Sequence, residues 1–174
     1  MIRAVEFSVP KASASAFGAA KLRATWDGRA EPSLDAPVAL FFGAGTLYNR
    51  EGKEHLVKAF PVNVRFDADR VHLACYFPMP YFAAARFELA SLDADAAPID
   101  VRWSIRSEPY EGPPNHVGYF HATYVDHPNT APGVDLTLLD TTQVEGGGDW
   151  SGSFVGTSFI FSHDAVLTTL EGDP

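Results

Sequence analysis

The stretch Ile99-Asp100-Val101-Arg102-Trp103-Ser104-Ile105-Arg106-Ser107 alternates apolar and polar residues without a break. Successive side chains of a β-strand point to opposite faces. The pattern therefore predicts a strand with Ile99, Val101, Trp103 and Ile105 on a dry face and charged residues on a wet one. Working outward, the same period of two recurs at Val5, Phe7 and Val9, at Leu22, Ala24 and Trp26, at Val71, Leu73, Cys75 and Phe77, and at Ala83, Ala85, Phe87 and Leu89. Further strands are expected over residues 38–42, 56–60, 62–66, 117–125, 134–139, 154–161 and 165–170. Turn-forming clusters such as Trp26-Asp27-Gly28, Asp67-Ala68-Asp69, Pro113-Pro114-Asn115 and Gly146-Gly147-Gly148 separate most of them. Helix signals are weak. Residues 13–23 are Ala-rich and long enough for a turn or two, but Gly18 interrupts them and no apolar stripe is evident. Many short strands without helical crossovers predict an all-β fold, a jelly-roll β-sandwich. The excess of strands over one such sandwich divides the chain at the triple glycine, with residues 1–145 as the sandwich and 146–174 as the opening strands of a second.

The chain has 174 residues, 13 Lys and Arg against 22 Asp and Glu, a formal net charge of −9 and a single cysteine. One cysteine forms no internal disulfide and no C-x-x-C zinc site. The acidic balance opposes binding to nucleic-acid phosphates or an anionic membrane. Glu6 and Ser8 interrupt the N-terminal run that a secretory signal would need. No stretch reaches the ~20 apolar residues of a membrane span. The expected location is the cytoplasm.

Four groups of residues bear on chemistry. The run Cys75-Tyr76-Phe77-Pro78-Met79-Pro80-Tyr81-Phe82 kinks at its prolines and reads either as a core strand turning a corner or as the aromatic wall of a sugar-sized pocket. His116, His121 and His127 lack the spacing of a shared metal site, and no metal is expected; His121 is expected to be a hydrogen-bonded strand residue facing a pocket. Glycoside cleavage needs two carboxyl groups across one bond, and Asp27, Glu31, Asp35, Glu108, Glu111, Glu145 and Asp149 lie near loops. Cys75 lies in an apolar strand, where a thiol is inert, and no nucleophile elbow or phosphate cradle is present. The Pro- and Gly-bearing segment 107–115 is expected to be an exposed loop of the kind that lines binding sites.

Several segments together resemble glycoside hydrolase family 172, formerly a domain of unknown function. They are Trp26-Asp27-Gly28 with Pro32-Ser33 and Phe41-Phe42-Gly43; Cys75-Tyr76-Phe77-Pro78-Met79-Pro80 with Ala85-Arg86-Phe87-Glu88-Leu89; Tyr119-Phe120-His121-Ala122; and Phe154-Val155-Gly156-Thr157. The resemblance implies two jelly rolls per subunit, trimers or multiples of trimers, and an active site shared with a neighbouring subunit. It implies cleavage or transfer of α-furanosides of fructose or D-arabinose by two glutamates, with retention of configuration and no metal cofactor. The family's Gly-Thr-Gly-Thr-Glu-Asp-Tyr element has no counterpart before Pro174, and Leu40 stands where an acidic residue is expected before Phe41-Phe42-Gly43. No catalytic residue is therefore carried over.

Two function readings follow. One is a fragment or short homologue of an α-furanosidase-type glycoside hydrolase that lacks the catalytic glutamate pair. The other is a non-catalytic jelly-roll module for carbohydrate binding or assembly. Both take a carbohydrate ligand, no cofactor and a homo-oligomer, with Phe41, Phe42, Tyr76, Phe77, Met79 and His121 lining the sugar pocket.

Overall fold

A computed structural model describes residues 1–90, 97–129, 131, 133–148 and 150–161. Two sheets carry the fold, as the alternation predicts. Strands β1 (Ile2–Pro10), β4 (His55–Lys58), β5 (Val62–Phe66), β6 (Arg70–Cys75) and β8 (Arg102–Ser107) form the larger, in the order β4-β5-β6-β1-β8. Strands β2 (Lys21–Trp26), β3 (Leu34–Pro37), β7 (Ala85–Ala90) and β9 (Ala122–Thr123) form the smaller, in the order β7-β2-β3-β9. Every named pair is antiparallel except β3 with β9. The class is all-β.

Both sheets feed one core. Val5, Phe7 and Val9 of β1 meet Val71, Leu73 and Cys75 of β6 in register and bury the face that the alternation marks as dry. Leu22, Ala24, Trp26 and Leu34 of the smaller sheet belong to the same cluster. Phe7 packs edge-on against Phe17 and Phe42 at 5.7 and 6.0 Å, a geometry that adds about 0.5–1.5 kcal/mol per pair beyond area burial. Trp26 is fully buried, and its indole N–H donates to the carbonyl of Phe120 at 2.8 Å, so no polar atom is stranded.

Several expectations are corrected. Residues 38–42 do not form a strand: helix α2 (Val38–Phe41) follows Pro37, and apolar residues all round a short run do not separate helix from strand by period. Gly43, at φ 82°, closes the helix as a Schellman cap, its N–H donating to the Leu40 carbonyl and that of Ala44 to the Ala39 carbonyl. Helix α1 (Ala14–Ala19) falls within the Ala-rich segment, but it does bury a stripe, Ala14, Phe17 and Gly18. Residues 117–125 contribute only the two-residue β9, because the chain meets β3 over just Leu34↔Ala122 and Asp35↔Thr123. Residues 134–139 and 154–161 form no strand; their apolar side chains, including Phe154 and Ile160, are largely exposed. The expected strand 165–170 and the candidate Asp149 lie outside the described residues.

The opening stretch, expected as a strand over 99–107, forms one over Arg102–Ser107, and among the described residues its dry face is not closed. Trp103 pairs with Phe7, so the two side chains share the core face. Yet β8 is the edge strand, and Trp103 overhangs the core at 69% exposure. No helix among the described residues is long and apolar enough to cross a membrane.

Candidate functional site

The turn after β2 organises the polar half of the molecule. Asp27 and Gly28 both take left-handed backbone, φ 53° and 70°, and the Arg29 N–H donates back to the Trp26 carbonyl at 3.1 Å. This is the two-residue turn that Asp-Gly favours. The Asp27 carboxylate then accepts from the backbone N–H groups of Phe82 (3.0 Å), Ala83 (2.6 Å) and Ala84 (2.9 Å) and from the Tyr119 hydroxyl (2.8 Å). Desolvation pushes this carboxyl up, but the four donors outweigh it and hold it at about 2. The same interaction pushes the Tyr119 hydroxyl up, first through its bond to Asp27. Asp27 is thus an anionic tie between loops, with no proton to give.

Arg29 leaves that turn and stacks over the Tyr119 ring, 5.0 Å from its centroid. Its guanidinium pairs with Glu145 Oε1. The other oxygen, Oε2, accepts from Ser33 Oγ at 3.1 Å and lies 3.3 Å from His121 Nδ1. The Glu145 side chain is only 10% exposed. The His121 Nδ1 contact lacks hydrogen-bond alignment, leaving that atom unpartnered among the described residues. Burial pushes the His121 imidazole down, Glu145 opposes this, and Arg29 reinforces it. His121 also packs on the Trp150 ring, 4.2 Å between centroids.

Local structure explains the convergence. β9 aligns with β3, and the Ala122 N–H donates to the Ser33 carbonyl, which sets His121 beside Ser33. Opposite them, the 3-10 turn Thr141–Gln143, capped by Asp140, leads into Glu145 and the positive-φ Gly146–Gly148. A Cβ on Gly146 would lie 3.0 Å from Arg29 Nη2, and the backbone there takes φ 87°, a conformation that favours glycine. Between these elements opens a cleft of about 540 Å³, lined by Glu31, Ser33, Asp35, His121, Tyr124 and Glu145 among others. Asp35 is held by Lys21 at 3.2 Å and Arg23 at 3.4 Å. Ser33, His121 and Glu145 are the residue types of an acyl-transfer triad, but Ser33 donates to Glu145 rather than to His121, so the hydroxyl is not activated by the imidazole.

The six expected pocket residues are dispersed. His121 lines the cleft. Phe41 and Phe77 do not line it; both pack on Phe120, Phe41 edge-on at 6.3 Å and Phe77 tilted at 5.5 Å. Phe42 and Met79 are fully buried core residues. Tyr76 donates to Glu6 at 3.3 Å, on the face of β1 opposite Val5 and Phe7, and desolvation, then the Glu6 charge, push its hydroxyl up. The loop 107–115 borders a separate cavity of about 440 Å³ with Met1, Tyr81 and Phe82. Cys75 is buried in β6, and burial pushes its thiol up to about 11. No three His, Cys, Asp or Glu among the described residues converge as metal ligands would.

Arg29, Ser33, Tyr119 and Trp150 were not legible as site residues. Glu145 stood among seven loop carboxylates with nothing to single it out, although the glycines that follow it were a visible signal.

A family model described as GH172 domain-like matches residues 1–101. No curated protein matches the chain.

Proposed function

The chain belongs to the GH172 domain-like family, matched over 101 of its 174 residues, and from that premise we propose that it is an α-furanosidase-type glycoside hydrolase domain that binds α-D-fructofuranosides or α-D-arabinofuranosides in the cleft between β9 and residues 143–146. The observation that carries the reading is the convergence of Glu145, Ser33 and His121 on one cleft, with Arg29 paired to Glu145 and Trp150 packed on the imidazole behind them. Carboxylate, hydroxyl and imidazole groups pair with adjacent sugar hydroxyls, while an aromatic face, here that of Tyr124 in the lining, suits the C–H side of the ring. Of the cleft carboxylates, Asp35 and Glu145 are both tied to cations. This supports recognition by these residues, with the attacking and protonating carboxyl groups of a retaining mechanism supplied elsewhere in the assembly. The jelly-roll topology and a homo-oligomer belong to the same proposal, supported by the uncovered apolar edge at Trp103.

The test is titration calorimetry with methyl α-D-arabinofuranoside and methyl α-D-fructofuranoside, beside a turnover assay on para-nitrophenyl α-D-arabinofuranoside. Saturable binding that Glu145→Gln weakens about ten- to a hundredfold is expected, since a hydrogen bond to a charged group is worth about 1.5–3 kcal/mol. Binding unaffected by Glu145→Gln, or no binding to either sugar, overturns the assignment. The alternative, a non-catalytic carbohydrate-binding module, predicts the same binding with no turnover by the assembled protein.

A further inference from the structure

We infer that the Trp26-Asp27-Gly28 turn, acting through Asp27 and Tyr119, is the device that positions His121 and, by way of Arg29, Glu145 on the cleft. The two residues at the end of β2 grip the 119–121 segment at consecutive points. The Trp26 indole N–H holds the Phe120 carbonyl at 2.8 Å, and the Asp27 carboxylate holds the Tyr119 hydroxyl at 2.8 Å. The residue next along that segment is His121. The Tyr119 ring, fixed by its hydroxyl and packed edge-on against Phe82 at 5.7 Å, is the platform on which Arg29 lies. Arg29 in turn pairs with Glu145, which lines the cleft beside His121. One carboxylate therefore sets both cleft groups, by way of a hydroxyl, an aromatic face and an ion pair. Its own left-handed backbone is uncommon for a non-glycine residue. The three backbone N–H groups of residues 82–84 hold it in place. As a role in recognition, this inference rests on the sugar-binding reading above; as a statement about geometry, it stands apart from it.

Asp27 and Tyr119 are positioning residues, and the readout must see the cleft rather than overall stability. The His121 imidazole serves. Glu145 and Arg29 are the charged groups that act on it, and Glu31, Asp35 and Lys21 line the same cleft. The experiment follows the His121 ring signals by NMR across pH in the full chain, assigned by their loss in His121→Gln. It is run for the parent protein, Asp27→Asn and Tyr119→Phe. In the parent, the His121 midpoint is expected below the ordinary histidine value. In both variants it is expected to rise toward that value as the 119–121 segment loosens and the ring gains water. Sugar binding should weaken in parallel. Tyr119→Phe removes one hydroxyl and keeps the platform, so it decides the matter if Asp27→Asn fails to fold. A folded Tyr119→Phe protein with an unmoved His121 midpoint overturns the inference. A moved midpoint in a protein that binds no furanoside leaves the positioning role standing and removes the sugar reading.

Discussion

Asp27 concentrates four donors on one carboxylate, and this makes a prediction about acid. Its folded value, about 2, lies below the ordinary 3.8. A depressed carboxyl stabilises the fold above its unfolded value and loses that contribution as pH falls through the folded one. The Asp27 share of the stability, measured by urea melts, should therefore be flat above pH 4 and decline from there toward pH 2. Asp67 falls on the same limb, held low first by the bond from His72 and then by the N–H groups of Arg70 and Asp69. The difference between the parent protein and Asp27→Asn isolates the Asp27 share, and a decline equally steep in both would contradict it. Asp27 was legible as a turn residue because Asp-Gly tolerates positive φ. Its acceptor role was not, because the donors it meets lie 55–57 residues away in the chain, and Tyr119 lies 92 away.

Among the elements, the two short helices show where periodicity succeeds and where it fails. α1 and α2 meet through Gly18, where a Cβ would lie 2.9 Å from Leu47 Cγ and 3.3 Å from Ala39 Cβ. Leu47 is 1% exposed and has no room to retreat. Overpacking costs about 1–3 kcal/mol, and the better helix propensity of alanine returns about 1. Gly18→Ala should therefore destabilise by up to about 2 kcal/mol in a denaturant melt, and a stabilised variant would show that the contact yields. Gly18 reads in sequence as a helix breaker; in the fold it is the residue that lets two helices touch. Of the strands with partners on both sides, β1, β3, β5 and β6 follow the alternation closely. Residues 134–138 alternate as well, and 154–161 are rich in apolar residues, yet neither forms a ladder, because a strand needs a neighbour's backbone as much as its own pattern.

For the whole molecule, the open side of the larger sheet is the main consequence. Trp103 shares the core face with Phe7 but projects past the sheet's margin on an edge strand. On the oligomer proposal, a second copy covers it. Sedimentation velocity at tens of micromolar should show assemblies in the parent protein and a shift toward monomer in Trp103→Ser, with the fold retained, since the side chain is already mostly in water. A parent protein that sediments as a monomer would end that proposal.

The all-β class, the core positions of β1, β2 and β6, the inert cysteine and the kinship with glycoside hydrolase family 172 were all present in the residue order. Each is a local matter of period, composition or motif, and local patterns survive being read along one dimension. The cleft was decided by tertiary structure alone. Arg29 and Ser33, His121, and Glu145 come from three separated segments, Ser33 and Glu145 being 112 residues apart. Charge pairing and burial act through space, so only the packed sheets could show which of the many acidic residues meets a cation, a hydroxyl and an imidazole at one point.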